Sequence, residues 1–172
     1  GLALSTPAHL RAQAQQRVIY ATALDQSGKP VDGLGVSDFV VREDKMAREV
    51  LAVAPSADPM EISLLVDNSA AADPYLRDLR EATSTFIATI GADPSGAKHQ
   101  VAVITVGERP TMNTDYTLNL EQARKGTQRI FPMSDSGSYL LDGIIETSKR
   151  IKKRESSHPV IVAVITAGPE LS

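Results

Sequence analysis

The chain has no cysteine and no tryptophan, and aromatic residues make up only 4% of its 172 positions. Without cysteine there are no disulfides, no thiolate nucleophile and no cysteine-ligated zinc, and the chain suits a reducing or an oxidising compartment equally. Neither sign of charge is in excess. Eighteen Lys and Arg against 21 Asp and Glu leave a net charge of −3, which gives no electrostatic ground for nucleic acid or an anionic membrane as a partner. No apolar run approaches the roughly 18 residues that a membrane-spanning helix needs. His9, His99 and His158 are scattered and stand in no H-E-x-x-H spacing, which argues against a zinc hydrolase. A G-x-S-x-G elbow and a Gly-rich phosphate loop are also missing.

What is present is a globular composition. Hydrophobic residues reach 42%, enough for one ordinary domain and a small appendage. Three runs, Ile62 to Val66, Val101 to Val106 and Val160 to Thr166, are rich in Val and Ile and lack polar alternation, as expected of strands covered on both faces. They predict an α/β fold, a mostly parallel, doubly wound, Rossmann-like sheet with helices on both faces.

After the first run, Asp73-Pro74 opens a helix that carries Leu76, Leu79, Thr83, Phe86, Ile87 and Ile90 on one stripe and stops at Gly91. A second amphipathic helix, from about Tyr139 to Arg154, is expected to turn Leu140, Leu141, Ile144, Ile145, Ser148 and Ile151 inward. Its basic end, Lys149, Arg150, Lys152, Lys153 and Arg154, reads as a solvated terminus that complements the helix dipole. Between them, Thr111 to Leu118 is a short edge strand and Asn119 caps a shorter helix through Arg129.

The segment 17–54 reads as a small β module, with strand-like stretches at Val18 to Leu24, Phe39 to Arg42 and Val50 to Val53 and a turn at Asp25-Gln26-Ser27-Gly28-Lys29-Pro30. Residues 55–61 form a proline-bearing linker, and 62–172 the α/β domain. The expected order is thus a β-rich arm, a linker, then β-α-β-β-α-α-β. Residues 1–16 are Ala-rich, with Ala12-Gln13-Ala14 in the A-x-A form read by a signal peptidase. They suggest a flexible tail or the remnant of an export signal, and with it an exported protein, periplasmic or secreted.

In an open α/β sheet ligands bind beyond the carboxyl ends of the strands. Asp67 and Ser69 stand there after the first run, in Leu64-Leu65-Val66-Asp67-Asn68-Ser69-Ala70-Ala71; Ser134-Asp135-Ser136-Gly137-Ser138 precedes the last helix, and Thr166-Ala167-Gly168 follows the last run. Three loops are expected to meet at one rim.

On these motifs the chain resembles a von Willebrand factor type A domain, in the bacterial exported form with a short β module ahead of it. The module shares that likeness through Asp25 to Val31, Gly33-Leu34 and Asp38-Phe39-Val40-Val41-Arg42-Glu43-Asp44. The resemblance implies a rim that holds a divalent cation, usually magnesium, completed by an acidic group of a partner protein. Asp67 matches the first aspartate of the family's Asp-x-Ser-x-Ser motif and Ser69 its first serine, while Ser138 takes the place of the usual threonine. Ala71 and Ala167 stand where a second serine and an aspartate belong, and Asp142 fits the loop-to-helix pattern in a structural role. Losing a carboxylate and a hydroxyl lowers metal affinity by at least roughly 10² to 10⁴, since even outer-shell losses cost 10- to 100-fold.

The resemblance therefore implies a non-enzymatic, adhesion-type protein-binding module with a degenerate metal-dependent adhesion site. Asp67, Ser69 and Ser138 would be its vestigial ligands, holding magnesium or manganese weakly or not at all. Two alternatives stand beside it. One is a magnesium-dependent phosphotransferase or hydrolase with Asp67 as nucleophile, although no second acidic residue lies two positions on. The other is a structural domain of an envelope assembly. Finally, Val160 to Thr166 would form an apolar sheet edge so close to the end of the sequence. That predicts either a C-terminally incomplete domain or a homodimer through the last strand.

Overall fold

A computed structural model describes residues 16–172. The tail or signal reading of residues 1–16 lies outside the described residues, Gln16 excepted. The chain divides between Ser56 and Ala57 into two units.

The first unit is held by turns. Asp25 Oδ1 accepts hydrogen bonds from the backbone N–H groups of Ser27 and Lys29, at 2.8 and 2.9 Å, so the expected turn forms as an Asx turn. Its flanks meet only in an isolated bridge between Leu24 and Pro30. A hairpin follows, β1 (Val41–Glu43) antiparallel to β2 (Met46–Arg48). Asp44 and Lys45 both take positive φ at its tip, as a two-residue hairpin turn requires. The expected strands at Val18 to Leu24 and Val50 to Val53 do not form. Their apolar side chains include Val18, Ile19 and Leu51, which are exposed, so no buried surface rewards pairing there.

The second unit follows the expected order throughout: β3 (Glu61–Val66), α1 (Leu76–Gly91), β4 (Gln100–Thr105), β5 (Thr111–Thr117), α2 (Leu120–Gln128), α3 (Leu140–Arg154) and β6 (Pro159–Val164). The sheet order is β5-β4-β3-β6. Central β3 runs parallel to β4 and to β6, Leu64 pairing with Val103 on one side and Val162 on the other. Polar β5 is the antiparallel edge.

Alternation along β3 feeds two cores. Ile62, Leu64 and Val66 join Val101 and Val103 beneath Leu76, Leu79 and Ile87 of α1 and Ala123 of α2. Full burial of each large aliphatic side chain stabilises by roughly 1.5–3 kcal/mol. On the opposite face Leu65, Ile104 and Val106 pack with Leu140 and Ile144 of α3. Gly143 brings α3 close to the sheet, because a Cβ there would sit 2.7 Å from Val106 Cγ1.

That close approach changes the facing of α3. Gly143 and Thr147 are the buried positions, whereas Leu141 and Ile145 are 54% and 50% exposed and Ser148 is exposed too. Choosing the inner stripe by hydrophobicity alone missed a helix that docks on its small residues. The start of α1 also differs: Ala70–Tyr75, including Asp73-Pro74, forms a 3₁₀ turn, and the α-helix begins one turn later at Leu76 without a side-chain cap. Asn119 caps α2 as expected, its Oδ1 accepting from Gln122 N–H at 3.1 Å.

Candidate functional site

Past the carboxyl ends of β3, β4 and β6 the backbone is knitted across three loops. Asp67 N–H donates to Val164 O (2.8 Å) and Val106 N–H to Val66 O (3.1 Å), extending the ladders beyond the strands. Ala70 N–H then reaches Ser136 O (3.2 Å), Met133 N–H reaches Asn68 O (2.8 Å), and Ser138 N–H reaches Pro169 O (2.8 Å). Gly168 packs against Ala71, where an added Cβ would meet the alanine Cβ at 2.7 Å. Loops 67–71, 133–139 and 166–171 therefore meet at one place, with Ala71 against Gly168 in the contact.

Asp67 holds this junction. It is fully buried; its Oδ1 accepts from Ser69 N–H (2.8 Å) and its Oδ2 from the Thr166 N–H (3.1 Å) and the Thr166 hydroxyl. Burial pushes the carboxyl pKa up, but the hydrogen bonds from Thr166 and Ser69 outweigh it and hold the group below its ordinary value. Asn68 is a second clamp, through Nδ2 to Phe131 O (2.7 Å) and Oδ1 from Gly107 N–H (2.8 Å). Sequence reading missed both partnerships. A Thr just past the last strand and an Asn between Asp67 and Ser69 were the signals available.

Ser69 and Ser138 are buried as well, yet neither Oγ has a hydrogen-bond partner. Ser69 Oγ lies near enough to the Asp67 carboxylate to help keep it charged, without hydrogen-bonding geometry. A buried hydroxyl left without a partner costs about 1–3 kcal/mol.

Magnesium takes about six oxygens in octahedral geometry. Here the donor set is two hydroxyls and one carboxylate with three hydrogen bonds already on it. These residues fit a cation in part, with water supplying half of the shell or more. Among the described residues no three histidine, aspartate or glutamate side chains gather as a metal cluster.

An open, mostly parallel sheet whose loops converge on Asp67, Ser69 and Ser138 belongs to the α/β binding folds with a rim beyond the strand ends. The model of the von Willebrand factor type A domain matches residues 62–169, and the chain belongs to that family, whose domains are commonly protein-interaction modules. Among solved structures it is similar to three N-terminal domains of the type V pili tip protein Mfa5 from Porphyromonas gingivalis (TM-score 0.51, 13% identity, covering 61% of this chain and 19% of that one). The vWF domain of the same protein gives a TM-score of 0.50 at 14% identity, covering 60% and 36%. The SpRpn10 VWA domain gives 0.49 at 18%, covering 66% and 62%. The chain thus spans about a fifth and about a third of the length of the two Mfa5 structures. A search of curated proteins finds no match.

Proposed function

We propose that this chain is a non-enzymatic, adhesion-type protein-binding module of an exported bacterial protein, periplasmic or secreted, whose rim docks a partner protein with little or no help from a cation. The observation that carries the reading is the state of the rim oxygens. Three of the positions resembling metal ligands, Asp67, Ser69 and Ser138, sit at one junction, but the carboxylate is committed to Ser69 and Thr166 and residues 71 and 167 supply methyl groups instead of oxygens. The site is a degenerate metal-dependent adhesion site that binds magnesium or manganese weakly at most. The same commitments, with full burial, speak against Asp67 as a nucleophile, which must reach its substrate.

Similarity to a pilus tip protein supports the surface or extracellular setting. No helix among the described residues is long and apolar enough to cross a membrane.

A photoreactive amino acid placed at the exposed rim positions Ala70 and Ala167 tests the docking reading in the producing cells. Adducts with a protein should form from both positions, persist in chelator, and be absent from a control at Lys152 on the far end of α3. Absence of rim adducts, or their loss in chelator, contradicts the proposal.

Self-association belongs to the same reading. Among the described residues β6 pairs with β3 alone and Ile165 just beyond it is 53% exposed, an apolar edge that a second copy of this chain can pair with. Light scattering over a concentration series should show the mass rising toward the dimer; a constant monomer mass removes this part.

A further inference from the structure

The four-stranded sheet has two edges, and they are built differently. β5 pairs with β4 through register irregularities at Val101–Val103 and Val103–Ile104, and Asp115 on it is exposed. Irregular pairing and charge are the usual means of keeping an edge strand from recruiting another. β6 has neither. Its pairing with β3 is regular from Glu61–Pro159 to Val66–Val164, and no charged residue stands between Pro159 and Pro169.

The outward hydrogen-bonding groups of β6 follow from the inward ones. Glu61 N–H donates to His158 O and Asp67 N–H to Val164 O, and Thr166 N–H donates to the Asp67 carboxylate. The even-numbered residues thus turn their backbone groups toward β3. By alternation Ile161, Ala163 and Ile165 each turn an N–H and a C=O to the open edge, where no strand meets them among the described residues.

That edge is self-complementary. Ile161-Val162-Ala163-Val164-Ile165 reads the same in both directions. Antiparallel pairing with its own copy about Ala163 sets Ile161 against Ile165 and Val162 against Val164, β-branched pairs that favour a sheet, with the smallest side chain on the axis. Ile161 packs on the α3 side of the sheet and Val160, Val162 and Val164 on the α1 side, so a two-fold axis through the sheet joins each apolar layer to its own kind. A foreign strand would place no such demand on the order of residues in β6.

We propose that the occupant of the β6 edge is a second copy of this chain, paired antiparallel with Ile161 opposite Ile165 and Ala163 on the two-fold axis. Rooted in the self-association reading, this names its register. The product is one eight-stranded sheet, twice the order β5-β4-β3-β6, and it closes at the dimer because each copy has a single unguarded edge. The two rims then open in opposite directions, so the dimer bridges two docked partners.

The chain has no cysteine, so single cysteines introduced into the full chain report the register without background. Under mild oxidation Ala163→Cys should give a product of twice the chain mass, since opposed hydrogen-bonded residues of an antiparallel pair stand about 5.5 Å apart at Cα, within disulfide reach. Ile161→Cys and Ile165→Cys alone should not cross-link, their equivalent positions lying about 14 Å apart at roughly 3.4 Å per residue, but should join each other when the two variants are mixed. Ala163→Lys, at an exposed position, sets like charges on the axis and should weaken the dimer about tenfold or more in light scattering. Asp115→Lys on the β5 edge should leave it unchanged.

As much product from Ile165→Cys as from Ala163→Cys would mean collision and would overturn the register, as would a dimer that Ala163→Lys leaves intact; self-association itself would stand. Ala163→Cys trapped on a different protein in the producing cells would give the edge another occupant and overturn the proposal. A monomer mass at every concentration removes self-association and register together. Rim docking fails separately, in the cross-linking from Ala70 and Ala167.

Discussion

Where the parallel strands begin, Glu61 accepts hydrogen bonds from Arg154 (2.9 Å) and Ser156 (2.8 Å). His99 is fixed on both ring nitrogens: Nδ1 accepts from Met60 N–H at 3.0 Å, so Nε2 carries the proton donated to Asp93 at 2.6 Å. Where the same strands finish, the buried hydroxyls of Ser69 and Ser138 find no partner. The groups named at one end of the sheet thus close on each other, while at the other end two buried serine hydroxyls stay open. An end that serves only the fold satisfies its polar groups internally, and an end that meets something else need not.

Asp67 and Asn68 are satisfied at the open end, and removing the Asp67 carboxylate should give the largest effect. Asp67→Ala leaves the Ser69 N–H, the Thr166 N–H and the Thr166 hydroxyl unpaired, and at about 1 kcal/mol or more each the loss should reach about 3 kcal/mol in urea unfolding. An unchanged midpoint would show that the carboxylate is no clamp. At the closed end, His99→Phe strands the Met60 N–H, for a loss of about 1 kcal/mol, while the Asp93 oxygen keeps the Ser95 hydroxyl.

Acid should act through the same carboxylate. The folded pKa of Asp67 lies below the unfolded one. Its contribution is therefore complete above about pH 4, the ordinary carboxylate value, and drains away as pH falls through the folded value. In Asp67→Asn that part of the acid slope should vanish; an identical slope would assign it to other carboxylates.

The smallest effect sharpens the comparison most. Ser138→Ala removes a hydroxyl that bonds to nothing in the protein, so stability should stay within about 0.5 kcal/mol or rise slightly, whereas Ser69→Ala also removes a neighbour that helps keep Asp67 charged. A loss of about 2 kcal/mol from Ser138→Ala would mean that the open end is closed after all.

The architecture of the α/β unit was legible because three of its four strands are mostly apolar runs rich in Val, Ile and Leu and its helices carry clear stripes. Legibility failed where two local signals competed. In α3 the eye follows Leu141 and Ile145, but contact is set by Gly143 and Thr147, whose small size permits the approach. In segment 17–54 strand propensity without a face to bury produced only a short hairpin. At the rim the positions of Asp67, Ser69 and Ser138 were readable from spacing beside strand ends. The capture of Asp67 by Thr166 was not, because ninety-nine residues separate the two and only the parallel pairing of β3 with β6 brings them together.

Calorimetric titration with magnesium and manganese tests the rim most directly, comparing the natural chain with the Ala71→Ser, Ala167→Asp double variant. The account predicts little or no heat from the natural chain and saturable, tight binding once both oxygens are restored. Tight, stoichiometric binding by the natural chain would contradict it.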